Sequence, residues 1–169
     1  MKIKCTLFIA LVLTTFCFSQ NQEEDRKHID EIIMKLYKSI SFTKTKSPDY
    51  KTLKAIHYHE AIVGAVDTTQ IKMFKEADFT NKNKENFKKY NVKSFVEKEL
   101  SHITHVYGGV AVRFSPYEFT IKAGDKQQTI RGVNTFQLIK DPKKGWLIYS
   151  TIFSDTTSYP DIPEAYLKM

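Results

Sequence analysis

Apolar positions along the chain follow two rhythms. Ile29, Ile32, Ile33, Leu36 and Ile40 recur at helical spacing, with Tyr37 at the edge of the stripe. From Leu100 onward the rhythm is alternation, the mark of strands with one buried face. The clearest stretch is Gln128 to Asp155. Two apolar runs flank a short loop carrying Asp141, Pro142 and Gly145, which predicts a hairpin. In its first run Ile130, Gly132, Asn134, Phe136 and Leu138 share one face, and Arg131, Thr135 and Gln137 share the other with Val133 and Ile139. Asn134 is therefore one polar residue in an apolar row, and the row is expected to line a pocket. In the second run Leu147, Tyr149, Thr151 and Phe153 are in phase and are expected to line the same hollow with Phe136.

Upstream of that hairpin, SHITHVY, a Gly108–Gly109 turn and VAVRFSPYEFTI predict two further strands. Val110, Val112 and Phe114 are in one phase, and Tyr117, Phe119 and Ile121 are in the other. That switch predicts a bulge at Ser115–Pro116, where proline has no amide hydrogen to give. Glu118 and Arg131 lie on neighbouring strands and are expected to form a surface ion pair worth under ~1 kcal/mol.

The first half of the chain is less regular. Asn21, with Glu24 three residues on, has the form of a helix-capping box, and that helix should end near Ser41. Pro48 suits the first turn of a short helix running to about Ile56. YHEAIVGAVD reads as a strand. Thr68 to Lys89 reads as a long loop with some helix, and Asn91 to Glu99 as a third short helix with Ser94 and Glu97 as its capping pair. The tail from Ser158 should pack as an extended segment.

The first residues add a destination. Lys2 and Lys4 precede an apolar run from Cys5 to Phe18, too short to span comfortably and shaped like a secretory leader. Small residues at Cys17 and Ser19 place cleavage just before Gln20, leaving residues 20–169 as one domain, periplasmic or secreted, without a stable membrane anchor. The rival is a lipoprotein acylated at Cys17, against which stands the bulky Phe16. Both cysteines leave with the leader, and with them any disulfide, thiol nucleophile or thiolate metal site. The formal charge of +7 becomes +5, with 24 basic against 19 acidic residues once Lys2 and Lys4 are gone. The excess is dispersed lysine, which reads as a solvated surface and not as a nucleic-acid site.

Helix first and antiparallel strands after predict an α+β domain, a curved sheet closing over the leading helix as a cone. The order of elements, together with Tyr107-Gly108-Gly109-Val110-Ala111, Phe114-Ser115-Pro116-Tyr117-Glu118, Arg131-Gly132-Val133-Asn134 and Ile162-Pro163-Glu164-Ala165-Tyr166-Leu167, resembles the nuclear transport factor 2-like superfamily. The resemblance covers roughly residues 25 to 155 and is nearest to exported bacterial members of undefined function. It implies a conical pocket but no particular activity.

Against the steroid isomerases of that superfamily, the donor-acid position falls on Asn134 and the donor tyrosine near Tyr37. The base position falls near Ala65, which cannot accept a proton. Glu60 and Asp67 stand at the ends of that strand. The resulting expectation is a binding domain for a small apolar or amphipathic molecule, with Tyr37, Asn134, Phe136, Tyr149 and Phe153 as ligand-binding residues. An isomerase, dehydratase or cyclase using an acid–base residue such as His57 or His59 is the alternative. His102 and His105 should point to opposite faces of a strand, and no metal motif or nucleotide fingerprint is present, so no cofactor is expected. The outer sheet face, with Arg131, Thr135, Gln137, Ser150 and Ile152, could pair two copies as a homodimer.

Overall fold

Residues 3–43 and 47–169 are described by a computed structural model, with side chains from residue 22 onward. The expected leader, residues 1–19, and the Asn21 side chain lie outside the described side chains. Helix α1 runs as one element from Ile3 to Ile40, so Asn21 and Glu24 occupy interior positions and do not cap it. No described helix is long and apolar enough to cross a membrane.

After α1 come β1 (Phe42–Thr43), α2 (Tyr50–Ile56), β2 (His57–Val66), β3 (Ile71–Lys75) and α3 (Glu76–Lys89). Then follow β4 (Val92–Glu99), β5 (Ile103–Tyr107), β6 (Val110–Ala123), β7 (Lys126–Asp141), β8 (Gly145–Asp155) and a 3-10 turn at Glu164–Lys168. The strands make one eight-stranded sheet in the order β1-β4-β6-β7-β8-β2-β3, with β5 continuing the line of β4 along β6. It is curled and unclosed, and it is not wholly antiparallel: β2 runs parallel to β8.

Ile29, Ile33, Leu36 and Tyr37 are buried against the inner face of the sheet, packed with Phe136, Leu138 and Ile148. Asp25 fixes the near end of that contact, accepting from Trp146 Nε1 at 2.9 Å and from Lys140 Nζ at 2.6 Å. The alternation read in β7 holds: Gly132, Asn134, Phe136 and Leu138 are buried while Thr135 and Gln137 are exposed.

The bulge lies elsewhere than expected. β6 pairs with β7 in unbroken register from Val110↔Ile139 to Ala123↔Lys126. Its inner row is Ala111, Arg113, Ser115 and Tyr117, so Val110 and Val112 face outward and are exposed. Arg113 and Ser115 go inside because Glu99 satisfies both, which apolar phase alone could not show. Pro116 marks a change of neighbour: β5 pairs with β6 up to Phe114, and β4 pairs with it from Tyr117. Register shifts occur instead between β2 and β8, at the start of β4 against β6, and in β8 against β7, where Gln137 pairs with Ser150 and Leu138 with Ile148, leaving Tyr149 unmatched. Such an extra residue re-aims the side chains that follow.

Two further elements differ from expectation. Thr68 to Lys89 does hold helix, 14 residues of it, but what precedes the helix is mostly hairpin strand and not a long loop. Phe79, Asn83 and Phe87 recur every fourth residue along one face of α3. Glu76 and Asp78 in its first turn and Lys88 and Lys89 in its last complement the helix dipole. Asn91 then takes a left-handed backbone, φ 49°, and ends it. Residues 92–99 form strand β4 and not a helix, with Phe95, Glu97 and Glu99 half-buried in alternation. In α2, Asp49 is the cap, accepting from Thr52 N at 3.0 Å, and Pro48 precedes it.

Candidate functional site

Between α2, α3 and the inner face of the sheet lies a cavity of about 310 Å³. The sheet supplies Val63, Phe95, Glu97, Tyr117, Phe119, Asn134, Thr151 and Phe153 to its wall, and α3 supplies Glu76, Phe79, Thr80, Asn83 and Phe87. Aromatic rings pack around it in edge and tilted pairs, Phe79 on Phe153 at 6.2 Å and Phe87 on Phe95 at 5.7 Å. Such a wall is mainly apolar with a few polar groups, the usual make-up of a small-molecule site.

Of the five residues singled out from the sequence, Asn134 and Phe153 are on this wall. Phe136 is fully buried one layer behind, in the core with α1. Tyr37 also stands behind the wall, with its hydroxyl against Asn134. Tyr149 is not on the wall: the shift in β8 turns it outward, 37% exposed, with its ring 6.2 Å from Tyr58. Ala65 pairs with Phe153 on β8. Glu60 and Asp67 are occupied outside, Glu60 with Lys75 at 2.9 Å and Asp67 in a turn with Thr69 and Gln70.

The residue that sequence reasoning missed is Glu97. Assigning β4 to a helix hid it, although its alternation with Phe95 and Glu99 was there to be read. Its Oε1 accepts from Asn134 Nδ2 at 3.4 Å. Burial pushes its carboxyl up to about 8, against which the Asn134 contact works only in part. Near neutral pH the group is therefore mostly protonated.

From Asn134 a directed chain of hydrogen bonds runs through the core. Asn134 Nδ2 donates to Tyr37 Oη at 3.1 Å, Tyr37 and Ser115 hydroxyls meet at 2.8 Å, and Ser115 Oγ donates to Glu99 Oε1 at 2.6 Å. Because Ser115 gives its proton to Glu99, Tyr37 must donate to Ser115, and Asn134 must donate to Tyr37. This fixes the amide orientation. Both Asn134 hydrogens are used, and its carbonyl oxygen has no donor among the described residues. Burial raises the Tyr37 and Tyr117 phenols well above their ordinary value, so both remain neutral.

Glu99 is in turn clamped by Arg113, whose Nη2 donates to Oε2 at 2.6 Å, while Nη1 reaches Asp30 at 2.5 Å. His102 stands beside the same acids, its Nδ1 3.2 Å from Glu99; His105 is exposed on β5. Among the described residues no group of three or more His, Cys, Asp or Glu is arranged to hold a metal ion.

His57, at the α2–β2 junction, is buried on the cavity wall. Its Nδ1 donates to Leu53 O at 2.7 Å, which assigns the tautomer and leaves Nε2 as a basic lone pair. Burial lowers its pKa, partly opposed by the Leu53 carbonyl and by Glu76. Glu118 and Arg131 pair across β6 and β7 at 3.0 Å, as expected.

The helix-first order and curled sheet have counterparts among solved structures. A nuclear transport factor 2-like superfamily protein from Salmonella enterica superposes with a TM-score of 0.66 at 21% identity, over 86% of this chain and 99% of that one. The fold is nuclear transport factor 2-like. A protein of this fold from Streptomyces avermitilis, described as a candidate dehydratase, matches at TM-score 0.63 and 13% identity, covering 84% of this chain and 99% of its own. A third, from Novosphingobium aromaticivorans and described as cystatin-like, matches at 0.61 and 14% over 91% and 94% of the two chains. No family model and no curated protein matches the sequence. Nuclear transport factor 2-like architecture is thus carried by shape, and activity has to be argued from this chain's own wall.

Proposed function

We propose that this protein binds a small, largely apolar molecule in the cavity under α3. The observation that supports it most is the wall itself: an aromatic hollow of about 310 Å³ whose lining carries the hydrogen-bonded pair Glu97 and Asn134. Apolar surface supplies affinity in such a site, and the few polar atoms fix orientation. A thermal-shift screen with small aromatic and aliphatic compounds tests this reading. Ligands should raise the Tm of the wild type, and Thr151→Trp, which fills the hollow, should abolish the shift while the protein stays folded. A wild type that responds to no such compound would overturn it.

A second reading is an acid–base enzyme of the isomerase or dehydratase kind. It is favoured by His57 and Glu97 sharing one wall, the first displaced toward its neutral base form and the second toward its neutral acid form. Deuterium incorporation at an activated C–H of a carbonyl compound, lost in His57→Gln, would support it.

Export follows from the leader alone. Fractionated cells should yield a chain beginning at Gln20. A homodimer through the outer sheet face, where Thr135 and Gln137 are exposed, would appear as a doubled mass in light scattering; Ser150, expected there, is instead buried.

A further inference from the structure

The sign of charge inside the cavity runs against that of the whole chain. The protein carries a formal net +7, yet apart from the phenols of Tyr50 and Tyr117 the ionisable residues on the wall are Glu76, Glu97, Asp155 and His57. Among the described residues no lysine or arginine lines it. Lys84 comes near only as far as the Tyr50 ring, 5.4 Å away. Three acids alone would say little, because Glu76 accepts from Thr80 and Asp155 is engaged by Thr157 in a turn.

The decisive pair is Glu97 and Asn134. Glu97 is enclosed from α1 by Tyr37, from β6 by Tyr117 and from β7 by Asn134, and only Oε1 has a partner among the described residues. The Asn134 carbonyl, fixed by the directed chain through Tyr37, likewise has none. Among the described residues no fully buried side-chain polar atom lacks a partner, so these two oxygens are not sealed away; both residues line the cavity, and Glu97 also borders an outer cleft with Lys38, Lys98 and Arg113. Both are acceptors once Glu97 is ionised. An alkylammonium group brings three donors, enough for both. A ligand carbonyl could take the Glu97 proton but would leave the Asn134 oxygen unmet, and an anion would meet three acids. Aromatic faces around the pair attract a cation further.

We propose that the ligand is a primary amine with a compact aromatic or aliphatic body, seated with its ammonium on Glu97 and Asn134. This rests on the cavity-binding reading above and narrows it to one chemical class. Binding converts the neutral Glu97 carboxyl to carboxylate, and the proton leaves to solvent: ammonium plus carboxylic acid gives the ion pair plus one released proton.

The test is calorimetric titration with 2-phenylethylamine, 2-phenylethanol and phenylacetate, which share a body and differ in head group. The amine should bind tightest. Its affinity should rise about tenfold per pH unit from pH ~6 to ~8, while the ammonium itself stays protonated. Repeating the titration in buffers of different ionisation enthalpy should show close to one proton released per amine at pH ~7. Glu97→Gln should lose the proton release and the pH dependence, and Asn134→Leu should weaken the amine at least tenfold. If the alcohol binds as well as the amine, or the carboxylate binds better, the amine assignment is overturned and the cavity reading survives. If none of the three binds, the amine assignment falls, and the thermal-shift screen decides the cavity reading separately.

Discussion

The side-chain amide of Asn134 donates to the phenolic oxygen of Tyr37 at 3.1 Å, joining residues 97 positions apart in the chain. The bond ties the cavity wall to the helix behind it. Tyr37→Phe leaves Ser115 with Glu99 and Asn134 with Glu97, so it should cost only about 1–2 kcal/mol. Combined with Asn134→Ala in a double-mutant cycle, the pair should show a coupling of about 0.5–3 kcal/mol in urea denaturation. Simple additivity would mean the contact carries no energy.

Glu97 and His57 predict opposite limbs in the stability–pH curve. The folded-state pKa of Glu97, about 8, exceeds its ordinary 4.5. Between those values the native state holds a proton that the unfolded chain has lost, so stability falls as pH rises and levels off above about 8. Burial lowers the His57 pKa, so the unfolded chain takes up the proton first and stability falls as pH drops through 6.5. Tm measured from pH ~5 to ~9 should flatten on the alkaline side in Glu97→Gln and on the acid side in His57→Gln.

Arg113 and Arg131 both form ion pairs, but in different settings. Arg113 is 2% exposed and Arg131 42%. Arg113→Ala removes the buried cation that Glu99 pairs with, leaving it only Ser115 and His102, and should cost about 3–5 kcal/mol. Arg131→Ala should cost under ~1 kcal/mol. Chemical denaturation of the two variants side by side checks the contrast.

Gly132 sits where β7 passes Tyr117. A Cβ there would meet the Tyr117 hydroxyl and would stand 2.5 Å from the Ser154 carbonyl oxygen, which is backbone and cannot step aside. Gly132→Ala should therefore destabilise by about 1–3 kcal/mol. Because Tyr117 is on the cavity wall, the same variant should weaken ligand-induced thermal shifts.

The β7 row was legible because its residues carry their preferences openly: Phe136 and Leu138 inward, Thr135 and Gln137 outward. Asn134 stood out against that row, and the register followed. The inward polar residues of other strands were not legible. Arg113, Ser115, Glu97 and Glu99 go inside because they satisfy one another across β4 and β6, and that complementarity exists only once the strands are paired. Tyr149 fails for a related reason. Its alternation with Phe153 is real in the sequence, but the unmatched residue in β8 breaks the phase between them. Tyr37 looked peripheral on its helix because its value lies in one oxygen, not in its hydrophobicity.

Asp25 is the first described residue of α1 to be gripped by the sheet, through Trp146 and Lys140. A chain beginning at Gln20 would keep this fastening five residues inside its new terminus. Ile29, Ile33 and Tyr37 would still be seated beyond it. If residues 1–19 are cut away as the leader pattern leads one to expect, the helix would stay fastened to the sheet, and processing and folding would be mechanically independent.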